Sequence, residues 1–401
     1  MTSISSLGSG SLLPQEEKLE IKKQSKKLFI GVPKEIAFQE SRIAIVPDAV
    51  QLLVSHGHEV LIESTAGEGS SFSDNEFSEA GAKIIFDTKE IYQADIILKV
   101  EPPTLEEIEL MKGRQTLISA LQITTRSQEF INRLIEKKIT CFAYEFIQDD
   151  SGTMPLIRSM SEIAGNTSVL IASECLSNTN DGKGLMLGGI AGVTPTEVVI
   201  IGAGTVGEFA ARSAMGLGAS VKIFDNSLSK LRRLQNDLNT RVFTSIIQPK
   251  VLIKALKRAD VVIGALRSGD KRTPCVVTEE MVTEMKEGAV IIDVSIDQGG
   301  CFETSELTNH SNPTFKKHGV IHYCVPNIAS RVSRTASYSL SNLLTPIILR
   351  IGDYGGLDNV LSSDAGLRQG VYICKGILTN KMVGQWFNLN YKEINLFIAS
   401  I

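Results

Sequence analysis

A glycine-rich turn at residues 202–207, with the sequence Gly-Ala-Gly-Thr-Val-Gly, constrains the fold of this chain more than any other segment. The β-rich run Glu197–Ile201 precedes the turn, and a stretch with apolar residues at helical spacing follows it. A second β-rich run, Ser220–Phe224, comes next and leads directly into Asp225. This order of strand, turn, helix, strand and acid is typical of a dinucleotide-binding α/β unit.

The three glycines of this turn have separate physical functions. Gly202 permits the tight turn, Gly204 lets the backbone approach a pyrophosphate, and Gly207 lets helix and strand pack closely. The amino end of the helix offers unpaired N–H groups and a partial positive charge to the phosphates. With Thr205 and Val206, these glycines form the predicted cofactor-binding turn.

Asp225 lies 18 residues after Gly207, where a carboxylate can accept a hydrogen bond from a ribose 2′-hydroxyl. Such a carboxylate repels the 2′-phosphate of NADP, so the sequence predicts NAD as the cofactor. The basic residues Lys230, Arg232 and Arg233 follow closely and leave two alternatives open. They hold a phosphate, or they form a solvated face of a helix.

Short β-rich runs alternate with amphipathic helical stretches over most of the 401 residues, which are too many for one ordinary core. We therefore expect an α/β fold with two Rossmann-like domains, mostly parallel sheets and long linking helices at about 155–176 and 334–351. The NAD domain is expected to be inserted in a discontinuous catalytic domain. The predicted parts are an N-terminal extension at 1–27, a catalytic domain at 28–155 and 334–401, and an NAD-binding domain at 156–333.

Composition excludes several classes of function. The net charge of −4 lacks the basic surplus of a nucleic-acid binder. The six cysteines are scattered without a Cys-x-x-Cys pair, which argues against a metal site. The sequence has neither an apolar run long enough for a membrane helix nor an N-terminal signal peptide, so we expect a cytoplasmic protein.

Polar residues follow several predicted strands, at the sheet edge where α/β folds bind ligands. Asp297 lies in a glycine-rich tip and is a candidate for the site beside the nicotinamide, although a helix cap or loop acid is the alternative. Arg42 can hold a small carboxylate through its guanidinium, with an ordinary surface arginine as the alternative. Lys99 ends another strand, and Glu101 follows it.

Five segments of the chain match a known family: 30–35 (Ile-Gly-Val-Pro-Lys-Glu), 57–63 (Gly-His-Glu-Val-Leu-Ile-Glu), 160–165 (Met-Ser-Glu-Ile-Ala-Gly), 202–207 and 296–303 (Ile-Asp-Gln-Gly-Gly-Cys-Phe-Glu). Through them the chain resembles the alanine dehydrogenase and nicotinamide nucleotide transhydrogenase alpha-subunit family over almost all of residues 28–345. Segment 296–303 is similar to alanine dehydrogenase, because the matching transhydrogenase loop lacks its Asp-Gln-Gly-Gly run.

The resemblance implies an NAD-dependent enzyme, usually a homo-hexamer, that reversibly oxidises L-alanine to pyruvate and ammonium. Carried over by position, Arg42 would bind the substrate carboxylate, and Asp297 would be the active-site acid beside the nicotinamide. The residues implied to line the NAD site are Ser161, Thr205, Asp225, Lys230, Leu266, Ser295, Val325 and Asn327.

Two positions depart from the pattern of alanine dehydrogenases. Glu101 occupies the place of a lysine that contacts substrate, and a one-residue gap in the alignment would not restore that lysine. Gln122 occupies the place of a catalytic histidine, yet glutamine has no accessible pKa for acid–base catalysis. Asp297, or Glu101 through a water, would have to transfer the proton instead. A third departure is residues 267–270 (Arg-Ser-Gly-Asp), where a Pro-Gly turn is usual.

The lysine-to-glutamate difference removes one positive charge from the site and adds a negative one. Arg42 and Glu101 are therefore expected to pair. Our hypothesis from the sequence is that the substrate is not simply L-alanine and carries a cationic or polar group that Glu101 receives.

Three functions follow from these residues. The first is an NAD-dependent amino-acid dehydrogenase. The presence of Asp297 and Arg42 supports this function. The second is a transhydrogenase-alpha-like domain that passes hydride to a partner chain. The third is a non-catalytic NAD(H)-binding regulator, for which Gln122 is the main argument. A Gln122→His variant separates them, since a large gain of alanine oxidation would indicate a decayed dehydrogenase site.

Overall fold

The computed structural model describes residues 25–267 and 272–399. Most of the predicted N-terminal extension therefore lies outside the described residues. Residues 268–270 also lie outside them; they belong to the segment 267–270, where the sequence departs from the usual Pro-Gly turn. Within the described part, no helix is long and apolar enough to cross a membrane.

The strands fall in two groups along the chain, separated by a long helical segment. Their bounds are β1 Phe29–Val32, β2 Glu59–Glu63, β3 Lys83–Ile85, β4 Ile96–Leu98, β5 Thr116–Ser119, β6 Thr140–Ala143, β7 Glu197–Ile201, β8 Ser220–Phe224, β9 Phe243–Ser245, β10 Val261–Gly264, β11 Val290–Asp293, β12 Thr314–Lys317, β13 Val320–Tyr323, β14 Val371–Cys374 and β15 Ile377–Leu378.

Helices connect most of these strands. Their bounds are α1 Pro47–Ser55, α2 Asp74–Glu79, α3 Thr88–Ile91, α4 Leu105–Leu110, α5 Gln128–Glu136, α6 Pro155–Leu176, α7 Thr205–Gly216, α8 Leu228–Leu238, α9 Pro249–Leu256, α10 Glu279–Thr283, α11 Ser333–Asp353, α12 Leu357–Ser363, α13 Ala365–Gln369, α14 Lys381–Phe387 and α15 Ile394–Ile398. Short 3-10 helices occur at Glu68–Ser70, Ile123–Thr125, Tyr144–Phe146, Asn178–Asn180, Val294–Gln298 and Ile328–Val332.

The first sheet has eight strands in the order β15-β14-β6-β5-β4-β1-β2-β3. The strands from β6 to β3 are all parallel, and β1 lies between β4 and β2. The chain order therefore reverses between β1 and β4, which makes their carboxyl ends the switch point where this architecture binds ligands. β14 and β15, from the C-terminal stretch, extend the sheet by antiparallel pairing.

The second sheet has seven strands in the order β12-β13-β11-β10-β7-β8-β9. All its neighbours are parallel except for the edge strand β12, which pairs antiparallel with β13. Its switch point lies between β7 and β10. The glycine turn at 202–207 leaves β7 at this point.

Apolar residues cover both faces of each sheet, as expected for parallel strands packed between helices. In β10, Val261 and Ile263 pack into one hydrophobic cluster and Val262 packs into the cluster on the opposite face. α6 packs on α7 and on α11. Gly165 permits the close approach of α6 to α7, because a Cβ at this position would lie 2.5 Å from the carbonyl oxygen of Val206.

The predicted fold class is confirmed: two mostly parallel sheets alternate with helices, and every strand of the second sheet lies between β6 and β14 in the sequence. The proposed domain boundaries fall at the starts of α6 and α11. They stay a prediction.

Candidate active site

At two of the three glycines of the turn, neighbouring backbone lies too close to leave room for a side chain. Gly202 has a φ of +120°, and a Cβ there would lie 2.3 Å from the carbonyl oxygen of Ala265. A Cβ at Gly207 would lie 1.9 Å from the carbonyl oxygen of Gly202. Gly204 differs, since a Cβ there would have no heavy atom within 4 Å. The protein itself therefore does not require a glycine at 204, and a close-lying ligand would.

Gly204 is also the N-cap of α7, and it provides no side-chain capping bond to this 12-residue helix. Thr205 and Val206 begin the helix and are only half-buried. The first N–H groups of a helix have no partner within the helix. The amino end of α7 thus fits an anionic group, and a pyrophosphate at this end stays a prediction.

Asp225 follows β8 and is buried beside the glycine turn. One carboxylate oxygen accepts from the backbone N–H of Ala203 at 2.7 Å, and the other accepts from Ser227 at 2.7 Å. Of the basic residues noted in the sequence, Arg233 reaches the turn and donates to the carbonyl of Ala203 at 3.2 Å. Lys230 is exposed in the first turn of α8.

The end of β11 carries Asp297 in the 3-10 helix Val294–Gln298. Asp293 caps this helix by accepting from the backbone N–H of Ser295, so Asp297 is not itself the cap. Ser295 donates from its hydroxyl to the carbonyl of Leu266 at 2.9 Å, which joins the ends of β10 and β11. This bond joins two residues predicted around a nicotinamide, and Val325, another of them, is buried two residues after β13.

Asp297 is linked to Asn327 by a hydrogen bond from the backbone N–H of Asn327 at 3.2 Å. Asp297 is exposed to solvent. The surrounding protein desolvates the carboxylate and raises the pKa of Asp297 to about 6, although the Asn327 bond and the charge of Arg42 oppose this shift. Asp297 can therefore exchange a proton close to neutral pH.

Arg42 lies in the loop after β1, and Glu40 of the same loop binds it through two donors. Arg42 Nε lies 2.8 Å from Glu40 Oε1, and Arg42 Nη2 lies 2.5 Å from Glu40 Oε2. Glu40 is nearly fully buried, at 1% side-chain exposure. Burial disfavours its charge, but the bonds and charge of Arg42 outweigh this effect and lower the pKa of Glu40.

Sequence reasoning missed Glu40, which also contacts the second sheet's loops. It accepts from Asn327 Nδ2 at 2.7 Å and from the hydroxyl of Ser330 at 3.3 Å. The sequence signal that could have identified Glu40 is its position two residues before Arg42. Acids near arginines are common in loops, so the spacing alone did not distinguish it.

Glu101 and Gln122 are brought together, as are Glu101 and Arg42. Glu101 Oε1 lies 3.3 Å from Arg42 Nη2, and its other oxygen accepts a short bond from Gln122 Nε2. Burial raises the pKa of Glu101 to about 7, although the charge of Arg42 opposes it. The predicted pairing of Arg42 with Glu101 is therefore present, but Glu40 takes the larger part of the guanidinium.

Lys99 is not brought to the accessible surface of the site. Its side chain is 1% exposed, and Nζ lies 3.2 Å from Glu35 and 2.9 Å from Glu107. Tyr92 also donates to Glu107, at 2.7 Å. A contact between Lys99 and a substrate would require this buried cluster to open.

Ser161 is half-buried on α6, next to Met160, whose sulfur lies 3.6 Å from Arg42 Nη1. α6 therefore lies beside both the glycine turn and Arg42. Five of the predicted residues are joined through Glu40, which was not predicted, into one connected chain of contacts: Asp297, Asn327, Glu40, Arg42, Glu101 and Gln122.

Comparison with known proteins gives a consistent result. Residues 31–164 match the family profile described as alanine dehydrogenase/PNT, N-terminal domain, and residues 168–381 match the corresponding C-terminal domain. The chain is 39% identical to an alanine dehydrogenase of Mycolicibacterium smegmatis, over 93% of this chain and 100% of that protein. It is 41% identical to an alanine dehydrogenase of Methanococcus maripaludis, over 91% of this chain and 98% of that protein.

Solved structures agree with these matches. An L-alanine dehydrogenase superposes with a TM-score of 0.84 at 37% identity, covering 90% of this chain and 99% of that one. A transhydrogenase from Sinorhizobium meliloti superposes with a TM-score of 0.76 at 23% identity, covering 88% of this chain and 99% of that one. This second match shows a similarity of fold. The chain belongs to the alanine dehydrogenase/PNT family.

Proposed function

We propose that this protein is an NAD-dependent amino-acid dehydrogenase that reversibly converts L-alanine, water and NAD⁺ to pyruvate, ammonium and NADH. The observation that carries the proposal is the contact chain from Asp297 through Asn327 and Glu40 to Arg42. It joins an acid on the cofactor side of the cleft to a guanidinium on the substrate side. The alanine dehydrogenases among its relatives supply the reaction.

The cofactor site is built from the turn at 202–207 and the ends of β8, β10, β11 and β13. The amino end of α7 would hold the pyrophosphate, and Asp225 would accept bonds from the ribose. When bound, the cofactor would supply the acceptor for the hydride that leaves the α-carbon of the substrate. Leu266, Ser295, Val325 and Asn327 would surround that end of the cofactor. The buried carboxylate of Asp225 favours NAD over NADP, because it repels a 2′-phosphate.

Arg42 would bind the substrate carboxylate with the edge of its guanidinium that Glu40 leaves free. Glu40 occupies Nε and one hydrogen of Nη2, while Nη1 faces Met160. Asp297 would hold or release a proton at Oδ2, since Oδ1 already accepts from Asn327. A pKa of about 6 leaves Asp297 mostly ionised at pH 7 and ready to accept a proton from water.

A non-catalytic NAD(H)-binding role is a second candidate, favoured by one observation. Gln122 bonds Glu101 where a relative would place an ionisable histidine, and it contributes no exchangeable charge. Under either function, the proposal includes the domain boundaries given above and a homo-hexameric assembly. Light scattering tests the assembly.

Steady-state reduction of NAD⁺ tests the proposed function. The purified protein is assayed with L-alanine, other L-amino acids and L-lactate, while pyruvate and ammonium are measured as products. We expect one pyruvate and one ammonium per NADH, and loss of turnover in Asp297→Asn. Tight NADH binding without turnover of any amino acid would favour the non-catalytic role. A higher kcat/KM with NADP⁺ would contradict the proposed cofactor.

A further inference from the structure

The guanidinium of Arg42 has two edges with different neighbours. Glu40 binds the Nε–Nη2 edge through two bonds and neutralises most of the charge there. The Nη1–Nη2 edge faces the sulfur of Met160 at 3.6 Å and the carboxylate of Glu101 at 3.3 Å. Only this second edge can bind a ligand without breaking the Glu40 contacts, and Glu101 lies directly at its end.

Three hydrogen bonds hold Glu101 and the residue before it in place. The hydroxyl of Tyr144 donates to the carbonyl of Val100 at 2.6 Å, and the carboxylate of Glu35 accepts from the backbone N–H of Glu101 at 3.4 Å. Gln122 donates to one carboxylate oxygen. The side chain of Glu101 nevertheless retains 15% exposure, so a ligand can reach it.

The Arg42–Glu101 separation matches the two charges of an α-amino acid. A carboxylate and an ammonium on one carbon are adjacent groups, so a ligand that binds Arg42 through its carboxylate presents its ammonium within reach of Glu101. A side-chain cation several bonds away would instead extend beyond Glu101. The structure thus changes the hypothesis from the sequence: the cationic group that Glu101 receives is the one every α-amino acid carries.

We propose that Glu101 binds the α-ammonium of the substrate and is the base that removes its proton, an inference that rests on the proposed function. One N–H bond of the ammonium breaks, one O–H bond forms on Glu101, and the electron pair remains on nitrogen. The resulting neutral amine is the form from which the α-carbon can be oxidised. The proton then leaves to solvent through the exposed side of Glu101.

The charges that face Glu101 support this role. Arg42 is the adjacent cation, Glu40 and Glu35 are nearby anions, and the partly buried Arg126 interacts with Glu101 at longer range. Burial and the two carboxylates raise the pKa of Glu101 to about 7, between that of an ordinary carboxylate and that of an ammonium. Gln122 can orient this carboxylate but cannot replace it as a base.

Three variants of the full-length protein test the proposal. Glu101→Gln keeps the shape and removes the base, while Glu101→Asp keeps a carboxylate. Glu106→Gln is the matched control, because Glu106 is an exposed glutamate on the same segment. Each protein is assayed for L-alanine oxidation from pH 5 to 9. Calorimetry with NADH present measures the binding of L-alanine and of L-lactate, which lacks the ammonium, without turnover.

For Glu101→Gln we expect kcat to fall by about 10²–10⁴-fold, the usual contribution of a positioned base. The acidic limb of kcat/KM near pH 7 should move towards the pKa of Asp297, about 6. Wild type should bind L-alanine at least about tenfold more tightly than L-lactate, and Glu101→Gln should lose this preference. Glu101→Asp should recover part of both properties, and Glu106→Gln should match wild type.

The outcomes separate this inference from the proposed function. Alanine oxidation by Glu101→Gln at the wild-type rate would overturn the inference and leave the function intact. A wild-type protein that oxidises no amino acid, yet prefers L-alanine to L-lactate only when Glu101 is present, would support the ammonium site and overturn both the base role and the function. Absence of turnover and of this preference would overturn both proposals.

Discussion

Asn327 donates from its side-chain amide to Glu40 at 2.7 Å, and this bond joins residues 287 positions apart across the cleft between the two sheets. Asn327 belongs to the cofactor side and Glu40 holds Arg42 on the substrate side. A ligand that alters either residue therefore acts on the other. Such linkage between two sites is reciprocal for binding free energies.

Glu40→Gln should destabilise the folded protein, because it leaves the buried guanidinium of Arg42 with Glu101 as its main counter-ion. Removing one partner of a buried ion pair costs roughly 3–5 kcal/mol, and the remaining carboxylate should bring the loss towards the lower value. Urea unfolding measures the difference. Glu68→Gln, at an exposed glutamate, is the control. An unchanged midpoint in Glu40→Gln would contradict the role assigned to the pair.

Gly204→Ala and Gly207→Ala should separate cofactor binding from folding. A methyl group at 204 meets no protein atom within 4 Å, so the variant should unfold at the wild-type temperature while its Kd for NADH rises about tenfold or more. At 207 the methyl would lie 1.9 Å from a backbone oxygen, so this variant should lose thermal stability. Tight NADH binding by Gly204→Ala would place the pyrophosphate elsewhere.

Replacing Glu101 should also change how stability depends on pH. Burial raises its pKa from 4.5 to about 7, so the folded protein retains a proton that the unfolded chain releases in this window. Wild-type stability should therefore fall as pH rises from about 4.5 to 7, by up to about 3 kcal/mol from this group. Glu101→Gln should remove that decline. Parallel unfolding curves for the two proteins between pH 5 and 8 would contradict the shifted pKa.

Asp225→Asn should weaken the preference for NAD. The amide keeps an oxygen that can accept from Ala203 but removes the charge that repels a 2′-phosphate, while Arg233 stays beside the turn. We expect the ratio of the NADPH and NADH dissociation constants to fall about tenfold, measured by fluorescence titration. Asp150→Asn, at an exposed aspartate before α6, is the control. An unchanged ratio would mean that Asp225 does not contact the ribose.

The sequence predicted the buried strands well, because parallel strands covered on both faces form continuous apolar runs. β7 and β8 have the predicted bounds. β12 was not predicted, since its residues Thr-Phe-Lys-Lys lie at a half-exposed edge and lack that pattern. β14 was missed as well, although the return of the C-terminal stretch to the first part of the chain was expected.

Prediction of the site was limited by contacts between distant residues. The glycine turn follows from local rules, because its contacts lie within a few residues and one neighbouring strand. The role of Glu40 depends on Asn327 and Ser330, which only the folded chain brings to it. The burial of Lys99 likewise depends on Glu35 and Glu107, whose spacing in the sequence does not indicate a shared contact.

The pairing of β14 with β6 has a consequence for synthesis of the chain. The ribosome completes every strand of the second sheet before it adds β14, so the second sheet can form while β6 still has one open edge. An open strand edge is a site for wrong pairing with another chain. Nascent chains halted just before β14 should therefore aggregate more readily than those halted just after β15.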